Sequence, residues 1–227
     1  MALMKSSNVP KDAVVLNELE AVQYVWNIVS EWEPSADTWA LRYGPVLLGG
    51  INALTGLMIN RHYRLKLNLG TYGYFSSVLP ITAMPAVLTL LFHRHMVSTE
   101  ILLMRKEGCP ICYETRSAAI QLILGTAYPT ILGSASAMML ANRYCTARLP
   151  QFNEGPKVLF KFIRKITRPF TGILTFMVLG QLVASSVVTY YELKNNLTMK
   201  RKIIELEEKL IAEGKLDRAP RGREEPA

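Results

Sequence analysis

At 227 residues, 50% of them hydrophobic and with a formal net charge of +8, the chain has the size of one small bundle rather than of a bundle plus an ordinary enzyme domain. Mean hydropathy is only +0.16, so strongly apolar segments must alternate with polar ones. Four segments without a charged residue, at 43–60, 67–92, 117–142 and 169–191, are 18, 26, 26 and 23 residues long. They exclude an ordinary soluble core, because a helix of about 20 apolar residues is what a bilayer demands and a surface helix would show a polar face.

In chain order, residues 12–33 predict an amphipathic helix, with Val15, Leu16, Leu19, Val22, Trp26, Val29 and Trp32 at helical spacing and Pro34 closing it. Such a helix suits either a membrane interface with Trp anchors or a partner's surface. Residues 1–33 hold Glu18, Glu20, Glu31 and Glu33 and lack a basic-then-apolar layout, so neither a cleavable signal nor an Arg-rich transit peptide is expected. The four apolar segments follow as membrane spans joined by short links. Pairs of small residues four apart, Gly49 and Ala53, Gly73 and Ser77, Gly133 and Ala137, Gly180 and Ala184, predict close helix packing in each span. Pro80, Pro85 and Pro129 predict kinks in the second and third.

The links differ in charge. Residues 61–66 carry three Lys or Arg and no acid, and 143–168 carry seven against Glu154 alone. Residues 1–42 carry three against six acids, 93–116 four against three, and 192–227 nine against eight. The positive-inside rule therefore puts the first and third links on one side, cytoplasm or mitochondrial matrix, and both termini and the second link on the other.

Within the second link, Cys109-Pro110-Ile111-Cys112 suits a redox dithiol, half a metal site or a structural disulfide. No strand pattern surrounds it, which argues against a thioredoxin-type site. A disulfide fits if the link faces an oxidising space. His93 and His95 would complete a four-ligand metal set with Cys109 and Cys112, at a spacing that is not a standard zinc one. In the third link, Lys157, Lys161, Arg164, Lys165 and Arg168 alternate with Val158, Leu159, Phe162, Ile163 and Ile166. That cationic amphipathic helix suits an anionic membrane surface better than nucleic acid. Cys145 reads as a free thiol. Asn196-Leu197-Thr198 is a glycosylation sequon close to the end of the last span. Residues 199–213 predict a charged helix with a narrow apolar edge, Ile203, Leu206 and Leu210, stopped by Gly214, and 215–227 predict disorder.

With these bounds no ionisable residue lies inside a span, which weighs against ion-coupled transport. Phosphate-binding loops and nucleophile elbows are absent. The reading is an all-α membrane protein: a four-span transmembrane helical bundle at 43–191, an amphipathic N-terminal segment at 1–42 and a charged tail at 192–227. No catalytic residue and no cofactor is expected.

The run Cys109-Pro110-Ile111-Cys112-Tyr113-Glu114-Thr115-Arg116-Ser117 resembles the transmembrane protein 126 family. So do Tyr128-Pro129, Leu140-Ala141-Asn142-Arg143-Tyr144, Leu149-Pro150, and the segment from Gly50 to Asn60. The resemblance spans roughly 43–191 and is closer to the A-type member. It implies a mitochondrial inner-membrane protein that assists assembly of the membrane arm of respiratory complex I, with complex I subunits and other assembly factors as partners and an anionic lipid such as cardiolipin at its surface. It supplies no catalytic residues. A membrane thiol-disulfide oxidoreductase using Cys109 and Cys112, or a small-solute transporter, are the alternatives.

Overall fold

The computed structural model describes residues 17–103, 109–150 and 155–213. Val15, Leu16, Glu154, the stop at Gly214 and the end of the chain lie outside them.

All regular structure among the described residues is helical. Helix α1 (Glu18–Glu31) leads through a 3-10 turn, Ser35–Asp37, into α2 (Trp39–Lys66). Helix α3 (Tyr74–His93) continues through a π-helical turn, Arg94–Ser98, into α4 (Thr99–Leu103). Helix α5 (Pro110–Leu122) likewise runs through a π turn, Ile123–Ala127, into α6 (Tyr128–Tyr144). Helix α7 (Pro156–Thr167) turns through Arg168–Phe170 into α8 (Thr171–Ala212).

Three continuous rods are long and apolar enough to cross a membrane: Tyr74–Leu103, Pro110–Tyr144 and Lys157–Leu210. The 28-residue α2 is long enough but less apolar, diluted by Pro45, Asn52, Asn60 and four glycines. Pro80 and Pro85 lie inside α3. The π turn ends one residue before Tyr128-Pro129, where the missing proline N–H breaks the helical ladder and a wider turn accommodates the ring.

The bundle is inside out. Leu54, Leu79, Ile123, Phe176 and Val183 are each at least 60% exposed, whereas Asn52, Gln121 and Gln181 are sealed. In water such a surface would aggregate; against acyl chains it is the expected one. Helices α2 and α3 meet closely. A Cβ at Gly56 would stand 2.4 Å from the Ile81 carbonyl oxygen, and one at Gly49 2.8 Å from that of Ala86. Gly180, by contrast, faces outward with nothing near it, so its expected packing role falls away.

Apolar clusters close both ends. At one end Ile59, Tyr63, Leu67, Met138 and Phe170 form a core on which Leu159, Phe162, Ile163 and Ile166 of α7 pack. Tyr63 Oη and Thr167 Oγ1 are 2.9 Å apart, and His62 stacks on Phe170 at 4.2 Å. At the other end Val25 and Val29 of α1 pack with Leu41, Leu102 and Met199. Arg42 donates to the Val29 and Trp32 carbonyls and so caps the end of α1. The N-terminal helix thus docks on its own chain. The tail is not a separate helix but the continuation of α8, about 63 Å long at 1.5 Å per residue.

Candidate functional site

A file of polar side chains runs through the bundle, built by three- and four-residue spacing on each helix. Helix α8 contributes Gln181, Ser185, Thr189 and Glu192, α5 contributes Ser117 and Gln121, α3 contributes Thr89 and His93, and α2 contributes Asn52 and Thr55. Because i and i+4 share a helix face, each ladder points inward as a unit.

In its lower part Asn52 Nδ2 donates to Thr89 Oγ1 at 2.7 Å. Gln181 Nε2 reaches Asn52 Oδ1 at 3.3 Å and Thr55 Oγ1 at 3.1 Å, while its Oε1 accepts from Thr126 at 2.8 Å. Gly125 makes this possible: a Cβ there would meet Asn52 Oδ1 at 2.3 Å and Gln181 Nε2 at 2.4 Å.

The upper part carries the ionisable groups. Ser185 donates to Ser117 Oγ at 2.7 Å, and Ser117 Oγ lies 3.3 Å from His93 Nδ1. His93 Nε2 lies 3.1 Å from Glu192 Oε1, which also accepts from Ser98 at 3.1 Å. One direction of donation satisfies the row: Ser185 to Ser117, Ser117 to Nδ1, Nε2–H to the carboxylate. Ser117, His93 and Glu192 are all 0% exposed. Their composition matches a hydrolytic triad, but the hydroxyl meets Nδ1 and is sealed in the bundle, so no carbonyl can approach it. Between the two parts stands Gln121, fully buried, with neither amide atom partnered among the described residues. The arrangement can hold or pass a proton, and it ties α3, α5 and α8 together.

This overturns the expectation that no ionisable group sits within the bundle. His93 and Glu192 lie one residue outside the charge-free segments, and their helices continue unbroken past them. The signal was the inward ladder itself, which Glu192 extends.

The candidate metal set does not assemble among the described residues. His93 has both ring nitrogens engaged, His95 is exposed, and no group of three or more His, Cys, Asp or Glu gathers among the described residues. Cys109 stands at the N-cap of α5, Cys112 follows in its first turn, and both thiols are free and exposed. Cys145 ends α6, also a free, exposed thiol. Lys157, Lys161, Arg164, Lys165 and Arg168 all face outward from α7. Phe160, 69% exposed, lies among them, and Val158 joins it outside rather than in the packed face. Asn196 of the sequon is fully buried and donates to the Ile101 carbonyl at 2.6 Å, so this fold withholds it from glycosylation.

The family described as transmembrane protein 126 matches residues 23–205. Transmembrane protein 126 of Drosophila melanogaster is 39% identical over 209 residues, 92% of this chain and 94% of the fly protein. Transmembrane protein 126A of Mus musculus is 30% identical over 67% of this chain and 75% of its own length. The Homo sapiens protein of the same name is 31% identical, with the same coverage. No solved structure matches.

Proposed function

Because the chain belongs to the transmembrane protein 126 family, we propose that it is a multi-pass mitochondrial inner-membrane assembly factor, without enzymatic activity, for the membrane arm of respiratory complex I (NADH:ubiquinone oxidoreductase). The observation that carries this reading is the inside-out bundle: apolar side chains cover its lipid-facing surface, and its interior is tied by hydrogen bonds between helices. Such a body offers hydrophobic subunits a rigid apolar flank on which to wait for their neighbours. Complex I membrane-arm subunits and other assembly factors are the partners, and no nucleic acid is involved.

We read α2 as the fourth span. Val46, Leu47, Leu54 and Met58 on its outer face are exposed and apolar, and α1 and the outer part of α8 pack together at one end of the bundle. An even number of crossings supports that juxtaposition. The basic links then face the matrix, and both termini and the 93–116 link face the intermembrane space. The outward basic face of α7, with Phe160 at its centre, lies on the anionic matrix leaflet, where cardiolipin is the candidate lipid.

Deleting the gene and resolving respiratory complexes by native electrophoresis tests the role. Selective loss of complex I with accumulated membrane-arm intermediates is the expected result. Normal complex I in mitochondria that lack the protein would end the proposal.

One observation favours a second reading. Cys109 stands at a helix N-terminus, exposed and three residues from an exposed Cys112, the spacing of a redox dithiol. An oxidoreductase would trap a mixed disulfide with a client when Cys112 is changed to Ser; no trapped species would discard it.

A further inference from the structure

Where α2 leaves the bundle and the chain turns into α3, an open groove of about 680 Å³ is lined by residues that include Leu57, Asn60, Arg61, Arg64, Leu65 and Tyr74. Its charge is unusual. Arg64 is 5% exposed and is held by neutral oxygens only: the carbonyls of Gly70, Tyr72 and Gly73, and Ser77 Oγ at 2.9 Å. The ring of Tyr74 lies 5.2 Å from the guanidinium carbon. One turn earlier, on the same side of the helix, Arg61 is exposed and makes no bond within the described residues.

Among the described residues no carboxylate pairs with either cation. The sequence has no acidic residue between Asp37 and Glu100, none between Glu114 and Glu154, and none between Glu154 and Glu192. Two adjacent guanidinium groups, one of them desolvated, therefore present a positive potential over a partly apolar floor. A desolvated charge without a counter-ion is costly, so an anion seated here would gain more than one on an open surface.

The level of the groove is also informative. The apolar rod of α3 begins at Tyr74. Tyr72 and Tyr144 stack at 4.9 Å beside it, and with Tyr74 all three are exposed, as in the aromatic belt at headgroup depth. One turn from Arg61 toward the bundle Leu57 is 40% exposed, and one turn toward the 67–73 link Leu65 is 67% exposed. On the groove wall, Asn60 carries a buried side-chain oxygen without a partner among the described residues, an acceptor for a headgroup hydroxyl.

We propose that this groove binds one anionic phospholipid, its phosphate on Arg61 over the buried Arg64 and an acyl chain running inward along Leu57. The site is separate from α7 and does not depend on the assembly role. Arg64 shapes the turn that forms the groove, whereas Arg61 is free to bind.

The test uses the full-length protein in a neutral detergent, titrated with phosphatidylglycerol, phosphatidylcholine or inorganic phosphate, with bound lipid counted by native mass spectrometry. One phosphatidylglycerol per chain should be retained in preference to phosphatidylcholine. Arg61→Gln, at an exposed position, should lower that retention about fivefold, the effect of one cation at a membrane surface. Arg61→Lys should restore much of it. Replacing Lys161, Arg164 and Lys165 by Gln should leave this lipid in place. Equal retention of phosphatidylcholine, displacement by equimolar inorganic phosphate, an unchanged Arg61→Gln variant, or loss of the lipid only in the α7 variant would each overturn the proposal.

Discussion

The two halves of α8 obey opposite rules. From Thr171 to Glu192 the buried stripe is Gln181, Ser185, Thr189 and Glu192, with Val188 its one apolar member, and the outer face is Phe176, Leu179, Val183 and Val187. Beyond Asn196 the buried residue is Met199, with Ile203 partly covered, and Arg201, Glu205 and Lys209 face outward. One unbroken helix thus changes from polar inside to apolar inside near Asn195-Asn196. Burying a leucine yields little when the alternative is an acyl chain, so interhelical hydrogen bonds and close backbone contact hold the first half. Where the alternative is water, the hydrophobic effect returns and holds the second.

The sharpest way to break this comparison is to remove the ionisable pair. His93→Ala leaves Glu192 buried with only Ser98 to bond it, and should destabilise the bundle by about 3–5 kcal/mol. Reversible unfolding in bicelles measures it. Glu192→Gln keeps a hydrogen-bonding group opposite His93 and should cost less. Equal, small losses in both variants would mean that the pair does not tie α3 to α8.

That pair marks where sequence reading stopped. Charge-free length pointed to the three rods long and apolar enough to cross a membrane, because lipid excludes charge from an outer helix face, and the basic α7 was legible because its two faces differ so strongly. Neither signal reports on the interior. His93 and Glu192 ended the segments by the very property that makes them inward-facing, since a charge count cannot tell a buried hydrogen-bonded pair from a solvated boundary. The continuity of α8 was lost for the same reason: Glu192 and Lys194 look like an exit to water, yet Glu192 is fully buried and the helix runs on. The docking of α1 depends on contacts with residues far along the chain, Leu102 and Met199, which no local pattern encodes. The Gly125 contact was likewise invisible, because its partners Asn52 and Gln181 come from two other helices.

Smaller effects sharpen the contrast from both sides. Met199→Ala removes a side chain 2% exposed from the water-side cluster and should cost about 2–3 kcal/mol. Leu179→Ala, outward on the membrane half, should stay within about 0.5 kcal/mol by the same measurement. Gly125→Ala forces apart Asn52 and Gln181 and should cost about 1–3 kcal/mol. If Leu179→Ala proved as costly as Met199→Ala, the membrane half would be held by apolar burial after all.

The smallest expected effect concerns the contact that joins the tail to the start of α2. Lys202 Nζ donates to the Asp37 carboxylate across 165 residues of chain. The hydrogen bond from Lys202 holds the Asp37 carboxyl below the usual carboxylate range. A depressed value means that the contribution is present above the unfolded pKa of about 3.9 and disappears as pH falls through the lower folded value. Salt should weaken the same contact, because both groups reach solvent. Spin labels at the exposed positions Ala36 and Ile204 report the distance between the two segments. Their distribution should be narrow at pH 6 and broaden on acidification below about pH 4, and Asp37→Asn should broaden it at every pH. A distribution that ignores both pH and Asp37→Asn would assign the docking of the outer half to Val29, Leu102 and Met199 alone, making the division between a hydrogen-bonded membrane half and an apolar water-side half sharper still.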